Sequence, residues 1–367
     1  MKFFRTENAA AYVLLAASIA GFVLANSGLV GVLNLAFDFS LGGGAVSPRS
    51  IIVTVGLSAF FFLVGTELKR ELSHGMFSDR RRLLPPLAAA VLGVAVPAAV
   101  FALINLGGSG FAGWAIPTAT DLTFSLAVFN IFGGWLGARA RLFLLAFAVI
   151  DDVVAVVLVT VLFSAKPNPW YLITGLLCAG FFALCNMLPG YLGRWLSVAA
   201  WLGAVILTQA SGVEAALMAV LLGFLVPAAK TVKLEQTIHP LVAFIALPLF
   251  AFQATAVSMG TMVIGAVFIG VAVRPLTKFI GIFAGGFLGS LFITRAERLT
   301  AGVIARLASL GGIGFTVSLL VADLAFKNQP ALQHEAVAGT FVAAGVTMVL
   351  GGVALVAGHR PETADRP

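Results

Sequence analysis

Residues 142–163 read LFLLAFAVIDDVVAVVLVTVLF, a stretch from which the architecture of the chain can be worked out. As an α-helix it is long enough to cross the hydrocarbon core of a bilayer, about 30 Å thick. It is apolar on every side, whereas a barrel strand would alternate over about ten residues. Its centre nevertheless holds Asp151 and Asp152. Two central carboxylates cost about 5–7 kcal/mol on the insertion scale, and the sixteen Leu, Ile, Val and Phe residues around them return roughly 5–10. The helix inserts with little to spare, so acids kept there are functional candidates by default.

The same texture extends in both directions. Apolar runs lie near 9–34, 50–66, 83–105, 115–133, 142–165, 169–189, 195–209, 212–229, 237–258, 260–290, 301–326 and 333–358, which predicts about twelve transmembrane helices. The chain is 60% hydrophobic and 10% charged, with a mean hydropathy of +1.06, which excludes a soluble or disordered protein. At 367 residues nothing is left over for an extramembrane domain, so residues 1–367 are expected to form one integral unit. The apolar stretch after Lys2 and Arg5 is long enough to span and lacks a cleavage signal, so it is read as the first helix. Cys178 and Cys185 share one apolar run and read as small packing residues.

The net charge of +7 does not imply nucleic acid, because in a membrane protein the location of the basic residues carries the information. With the N-terminus placed in the cytoplasm, sixteen Lys and Arg residues fall in inner segments and three (Arg49, Lys166, Lys327) in outer loops. Both termini are therefore expected inside. Arg274, Lys278 and Arg306 remain within spans.

Adjacent helical residues point about 100° apart, so Asp151 and Asp152 cannot face one partner, but a cavity at a helix junction can take both. Ionised, they offer hard oxygen ligands to a small cation, and protons would compete for the same atoms. A third acid, Asp121, follows Pro117 in GWAIPTATDLTFSL (113–126), where the missing N–H of proline and the hydroxyls of Thr118 and Thr120 predict a break. A second break is expected in SLGGIGFTVSLL (309–320), at Gly311, Gly312 and Gly314, although a glycine cluster also serves tight helix packing. Paired interruptions point to a transporter site. In GVAVRPLTKFIGIF (270–283), Arg274 and Lys278 stand one turn apart, able to neutralise a carboxylate or a broken helix end; the other reading of Lys278 is snorkelling to the interface.

These segments, with FFFLVGTELKREL (60–72), SGVEAALMAVLLGF (211–224) and HPLVAFIALPLFAF (239–252), resemble the NhaA family of bacterial sodium/proton antiporters over nearly the whole chain. The resemblance implies an all-α polytopic fold with an inverted repeat, spans four and eleven being broken and crossing, and a core bundle formed by residues near 83–165 and 260–358. It implies an electrogenic, pH-regulated Na+ or Li+ antiporter of the bacterial inner membrane, working without a cofactor and open to forming a homodimer. Asp151 and Asp152 would carry Na+ and protons, with Asp121, Thr120, Arg274 and Lys278 in support. Glu67, Arg70, Glu71, Glu235 and His239 match the region associated with pH response.

Three departures stand out. Arg274 occupies the place of a usual lysine, and arginine cannot release a proton, which leaves Lys278 as the titratable alternative. Glu214 replaces a usual histidine, where Ser211-x-x-Glu214 also reads as a capping box. Gln253 stands where an asparagine is common. Other functions fit less well. A Na+-driven organic anion carrier would need a roomier cavity. An intramembrane aspartyl protease would need YD and GxGD contexts, which are absent, and DDVVA lacks the last acid of a prenyltransferase motif. A channel would lack saturating counterflow.

Overall fold

A computed structural model describes residues 2–39, 47–74, 83–163, 168–256, 264–295 and 297–358, and every regular element among them is helical. Each of the twelve runs becomes one helix or one interrupted helical unit. The first gives α1 (Lys2–Leu24) and α2 (Val30–Asp38), the second α3 (Pro48–Ile51) and α4 (Leu57–His74), and the third α5 (Leu84–Ile104). The fourth breaks before α6 (Leu122–Val128), and residues 142–163 lie within α7 (Gly137–Phe163). Then follow α8 (Pro169–Cys185), α9 (Gly190–Ala210), α10 (Ala215–Leu225), and α11 (Ala228–Leu241) continuing into α12 (Leu247–Thr255). The tenth run gives α13 (Ala266–Ala272) and α14 (Arg274–Ser290), the eleventh α15 (Ala301–Ala308) and α16 (Thr316–Ala325), and the last α17 (Pro330–Ala357).

Among the described residues, six helical segments are long and apolar enough to cross a bilayer: Ala9–Leu29, Pro48–Glu67, Leu84–Ile104, Gly190–Ala210, Ala228–Thr255 and Pro330–Ala357. The α13–α14 pair, bent by 43°, makes a seventh, and α8, α10 and α16 are shorter apolar helices. The bend falls at Val273, two residues before Pro275, whose ring nitrogen cannot continue the hydrogen-bond ladder. The chain is thus a multi-pass, all-helical membrane protein in which the interrupted helices are as prominent as the straight ones.

Lipid tails are as apolar as leucine, so helices in a bilayer associate through close backbone approach at small residues. The α5–α14 contact depends on it. A Cβ at Gly281, Gly285 or Gly289 would collide with the carbonyl oxygens of Leu92, Ala88 and Leu84 in turn. Those three glycines, four residues apart, lay one face of α14 directly on the backbone of α5. The result is a closely packed pair, with Arg274 and Lys278 on the same face of α14 as the glycines.

Both expected breaks are present. The first passes through a 3-10 turn at Ile116–Thr118, an extended Ala119 (ψ 146°), and re-enters helix at Leu122. The second leaves helix after α15 and resumes at Thr316, with Phe315 at φ −135°. They pass close enough that a Cβ at Gly314 would strike the carbonyl oxygen of Ala119. The edge-to-face rings of Phe124 and Phe315, 6.0 Å apart, pack beside the crossing.

Candidate functional site

Asp151, midway along α7, is fully buried, as is Lys278 on α14. The Lys278 Nζ donates to both carboxylate oxygens of Asp151, at 3.0 Å each, and to Thr120 Oγ1 at 2.8 Å. It also lies 5.7 Å from the ring of Phe147, one turn before Asp151, where a cation meets the negative face of an aromatic. Two buried charges in low dielectric are tolerated only when paired and hydrogen-bonded, and here the ammonium has three acceptors, the two Asp151 oxygens and Thr120 Oγ1. The snorkelling reading of Lys278 is therefore overturned: its ammonium turns inward to a carboxylate.

Broken helices leave N–H and C=O groups without intrahelical partners, and side chains of the opposite break take them up. Thr120 Oγ1 donates to Gly311 O at 2.8 Å and Ser125 Oγ to Leu310 O at 3.1 Å. The Asp121 N–H donates to Ile313 O at 2.6 Å. Conversely, Asp121 Oδ2 accepts from Thr316 Oγ1 at 2.9 Å and from the Thr316 N–H at 3.4 Å. Asp121 thereby sits at the N-terminus of α16, where a negative group offsets the positive end of the helix.

Arg274, also fully buried, does not bond Asp151. Its Nη1 donates to Ser318 Oγ at 2.9 Å and its Nη2 to Thr340 O on α17 at 3.3 Å, while Asp121 attracts it electrostatically. Ser318 Oγ in turn donates to Ile116 O at 2.9 Å. Gly311 and Gly312 occupy the turn after α15, Gly311 against Ile282 and Phe147 and Gly312 against Thr347 and Pro275. The side chains of Asp152 and Glu71 lie outside the described residues.

The remaining predicted residues gather elsewhere. Arg70 on α4 pairs with Glu235 on α11 and stands 3.6 Å from Glu67, all partly exposed. The neighbouring Lys69 Nζ donates to Phe224 O at 2.8 Å and to Val226 O at the end of α10. His239 is in the last turn of α11. This group ties α4, α10 and α11 together at one end of the molecule.

The capping-box reading of Glu214 is corrected. Glu214 is itself the N-cap residue of α10 and its side chain accepts no cap hydrogen bond; Gln209 Oε1 takes the Ala215 N–H at 3.1 Å instead. Glu214 stands in the connection between α9 and α10, where burial and then the nearby charge of Asp323 push its carboxyl up from the ordinary range. Asp323 accepts from Gln333 Nε2 at 2.9 Å.

Sequence reading missed Ser318 and the Thr340 carbonyl. A hydroxyl two residues past Thr316, beside a buried arginine in need of acceptors, was the available signal for Ser318. Nothing local marks a mid-helix carbonyl as a ligand. Among the described residues no three His, Cys, Asp or Glu side chains come together, and the described side chains at the crossing offer the carboxylates of Asp151 and Asp121 with hydroxyl and carbonyl oxygens around them. Such a donor set suits a weakly held hard cation.

Residues 1–355 match the model of the family described as Na+/H+ antiporter 1. The chain is 36% identical to the Na(+)/H(+) antiporter NhaA 2 of Clavibacter michiganensis, over 96% of this chain and 90% of that one. It is 34% identical to the Na(+)/H(+) antiporter NhaA of Mycolicibacterium smegmatis, covering 98% and 90%. To the Na(+)/H(+) antiporter NhaA of Renibacterium salmoninarum it is 36% identical, covering 91% and 83%.

Proposed function

Because the chain belongs to the Na+/H+ antiporter 1 family, we propose that it is a secondary transporter, not an enzyme, that moves Na+ or Li+ outward in exchange for external protons, with Asp151 as the carboxylate where the two compete. The observation that carries this reading is the fully buried Lys278–Asp151 pair set in the crossing of two broken helices. Breaking a buried ion pair by removing one partner costs about 3–5 kcal/mol, so the ammonium leaves only when another positive charge takes its place. A desolvated Na+ or a proton on Asp151 is such a charge.

In the cycle this suggests, Na+ from the cytoplasm takes the Asp151 oxygens while Lys278 releases its proton to the cytoplasm and rests as a neutral amine on Thr120, whose lone pair still receives one of its N–H groups. The site reorients, Na+ leaves, and protons from outside restore the starting charge. Asp152, next on α7, is the second proton carrier of the proposal, and more than one proton per cation makes the exchange electrogenic. Lysine suits the position because it can shed its proton, whereas Arg274 is a permanent cation. The moving body is the core bundle of residues near 83–165 and 260–358, with the other helices as scaffold. Glu67, Arg70, Glu71, Glu235 and His239 form the pH-responsive end, on the cytoplasmic side of a bacterial inner membrane with both termini inside.

The test is proton release driven by added Na+ in everted vesicles. The parent is expected to respond to Na+ and Li+ and not to K+, and Asp151→Asn to lose the response entirely while still reaching the membrane. Full Na+-dependent release by Asp151→Asn would overturn the reading.

A further inference from the structure

Two hydrogen-bond chains leave α14 one turn apart and share one plan. Lys278 Nζ donates to Thr120 Oγ1, which donates to Gly311 O. Arg274 Nη1 donates to Ser318 Oγ, which donates to Ile116 O. Each cation reaches a hydroxyl on one broken segment, and that hydroxyl holds a backbone carbonyl of the other. The chains differ in their second contact. Lys278 goes to Asp151, while Arg274 is turned toward α17, with its Nη2 on Thr340 O. The Arg274 Nε, also buried, has no hydrogen-bond partner among the described residues.

Ser318 is fully buried, and its single proton is committed to Ile116 O, so a lone pair faces the guanidinium. With Thr340 O fixing the second nitrogen, two contacts set the orientation of a planar fork. The orientation matters because Arg274 keeps its charge at every accessible pH and feels the field of Asp121. Released from Ser318, this long side chain would drift toward carboxylate, and one turn along α14 lies the pair that Lys278 makes with Asp151. Lysine can be displaced or neutralised there; a guanidinium forked onto Asp151 could not.

We propose that Ser318 is a positioning residue of the exchange: it anchors Arg274 between the Ile116 carbonyl and α17, so that Asp151 is contested by Lys278 alone. This rests on the reading of Asp151 as the exchange carboxylate. Loss of the Ser318 hydroxyl should then weaken cation binding and leave the turnover of the loaded protein in place.

The experiment measures proton release against Na+ concentration at fixed pH, using the full chain in liposomes, for the parent, Ser318→Ala and Ser318→Thr. A hydrogen bond to a charged group corresponds to about tenfold in an equilibrium constant, so Ser318→Ala should raise the KM for Na+ by about tenfold, with maximal rate held within about twofold. Ser318→Thr, which keeps the hydroxyl, should bring KM back toward the parent. A parental KM in Ser318→Ala, or a loss of maximal rate at parental KM, overturns the proposal. Should Ser318→Ala not reach the membrane folded, Ser318→Cys, similar in size with a weak acceptor, is judged by the same KM criterion. If the parent releases no protons with Na+, the proposal falls with the reading of the site; if the parent responds and Ser318→Ala matches it, the proposal alone falls.

Discussion

Two pairs of opposite charge, Lys278–Asp151 and Arg70–Glu235, join helices far apart in sequence, and their surroundings give them opposite characters. The first has no exposure on either side chain, whereas the second leaves 34% of Arg70 and 15% of Glu235 accessible. Water screens and competes for an exposed pair, whose net worth is about 0–1 kcal/mol. A pair without water must be complete, because either partner alone is an uncompensated charge in low dielectric. The buried pair therefore behaves as a switch with defined occupants. The exposed one, set with Glu67 and Lys69 where α4, α10 and α11 meet, can loosen or tighten by small amounts.

The largest effect is expected from Lys278→Gln. It leaves the Asp151 carboxylate without its ammonium, and about 3–5 kcal/mol of stability should go with it. Thermal unfolding in detergent measures this directly, and an unchanged midpoint would mean that burial does not set the pair's character. Arg70→Gln should cost less than about 1 kcal/mol in the same assay. Its effect is expected in transport, as a displaced pH dependence at nearly the parental maximal rate. A loss of stability matching that of Lys278→Gln would erase the contrast.

The sequence discloses the two regions unequally, for a physical reason. Membrane residence, the runs and both breaks are legible because hydrophobic length, Pro117 and the Gly311–Gly314 cluster act locally. Asp151 is legible because a carboxylate in such a stretch has no cheap explanation. Its partner is not. Arg274 and Lys278 are both cations on one helix, and only the bend before Pro275 and the glycine contact of α14 with α5 decide which of them meets Asp151. The hydroxyl bridges Thr120–Gly311 and Ser318–Ile116 join segments 191 and 202 residues apart. Their geometry exists only once the breaks cross. The place of a usual lysine falls to Arg274, and the contact with the acid falls one turn later, a displacement that residue-by-residue comparison of motifs does not reveal.

Glu214 offers the smallest and most selective test, because it is an acid whose neighbour is another acid. Burial and the charge of Asp323 raise its carboxyl, while Gln209 and Lys327 lower it by less. An unfolded chain gives up this proton near the ordinary value of 4.5, whereas the folded chain holds it to higher pH. The folded state therefore binds more protons across that window, and stability falls as pH rises through it. Glu214→Gln removes the ionisation without removing the side-chain amide's ability to meet Gln209. The variant should match the parent below pH 4.5 and gain a little above the window, within about 0.5 kcal/mol for a partly exposed group, read as a higher unfolding midpoint at pH 8 than the parent. A lower midpoint at pH 8 would show that the ionised carboxylate is held by an attraction stronger than its repulsion from Asp323, and would move Glu214 from a tolerated neighbour to a paired group like Glu235.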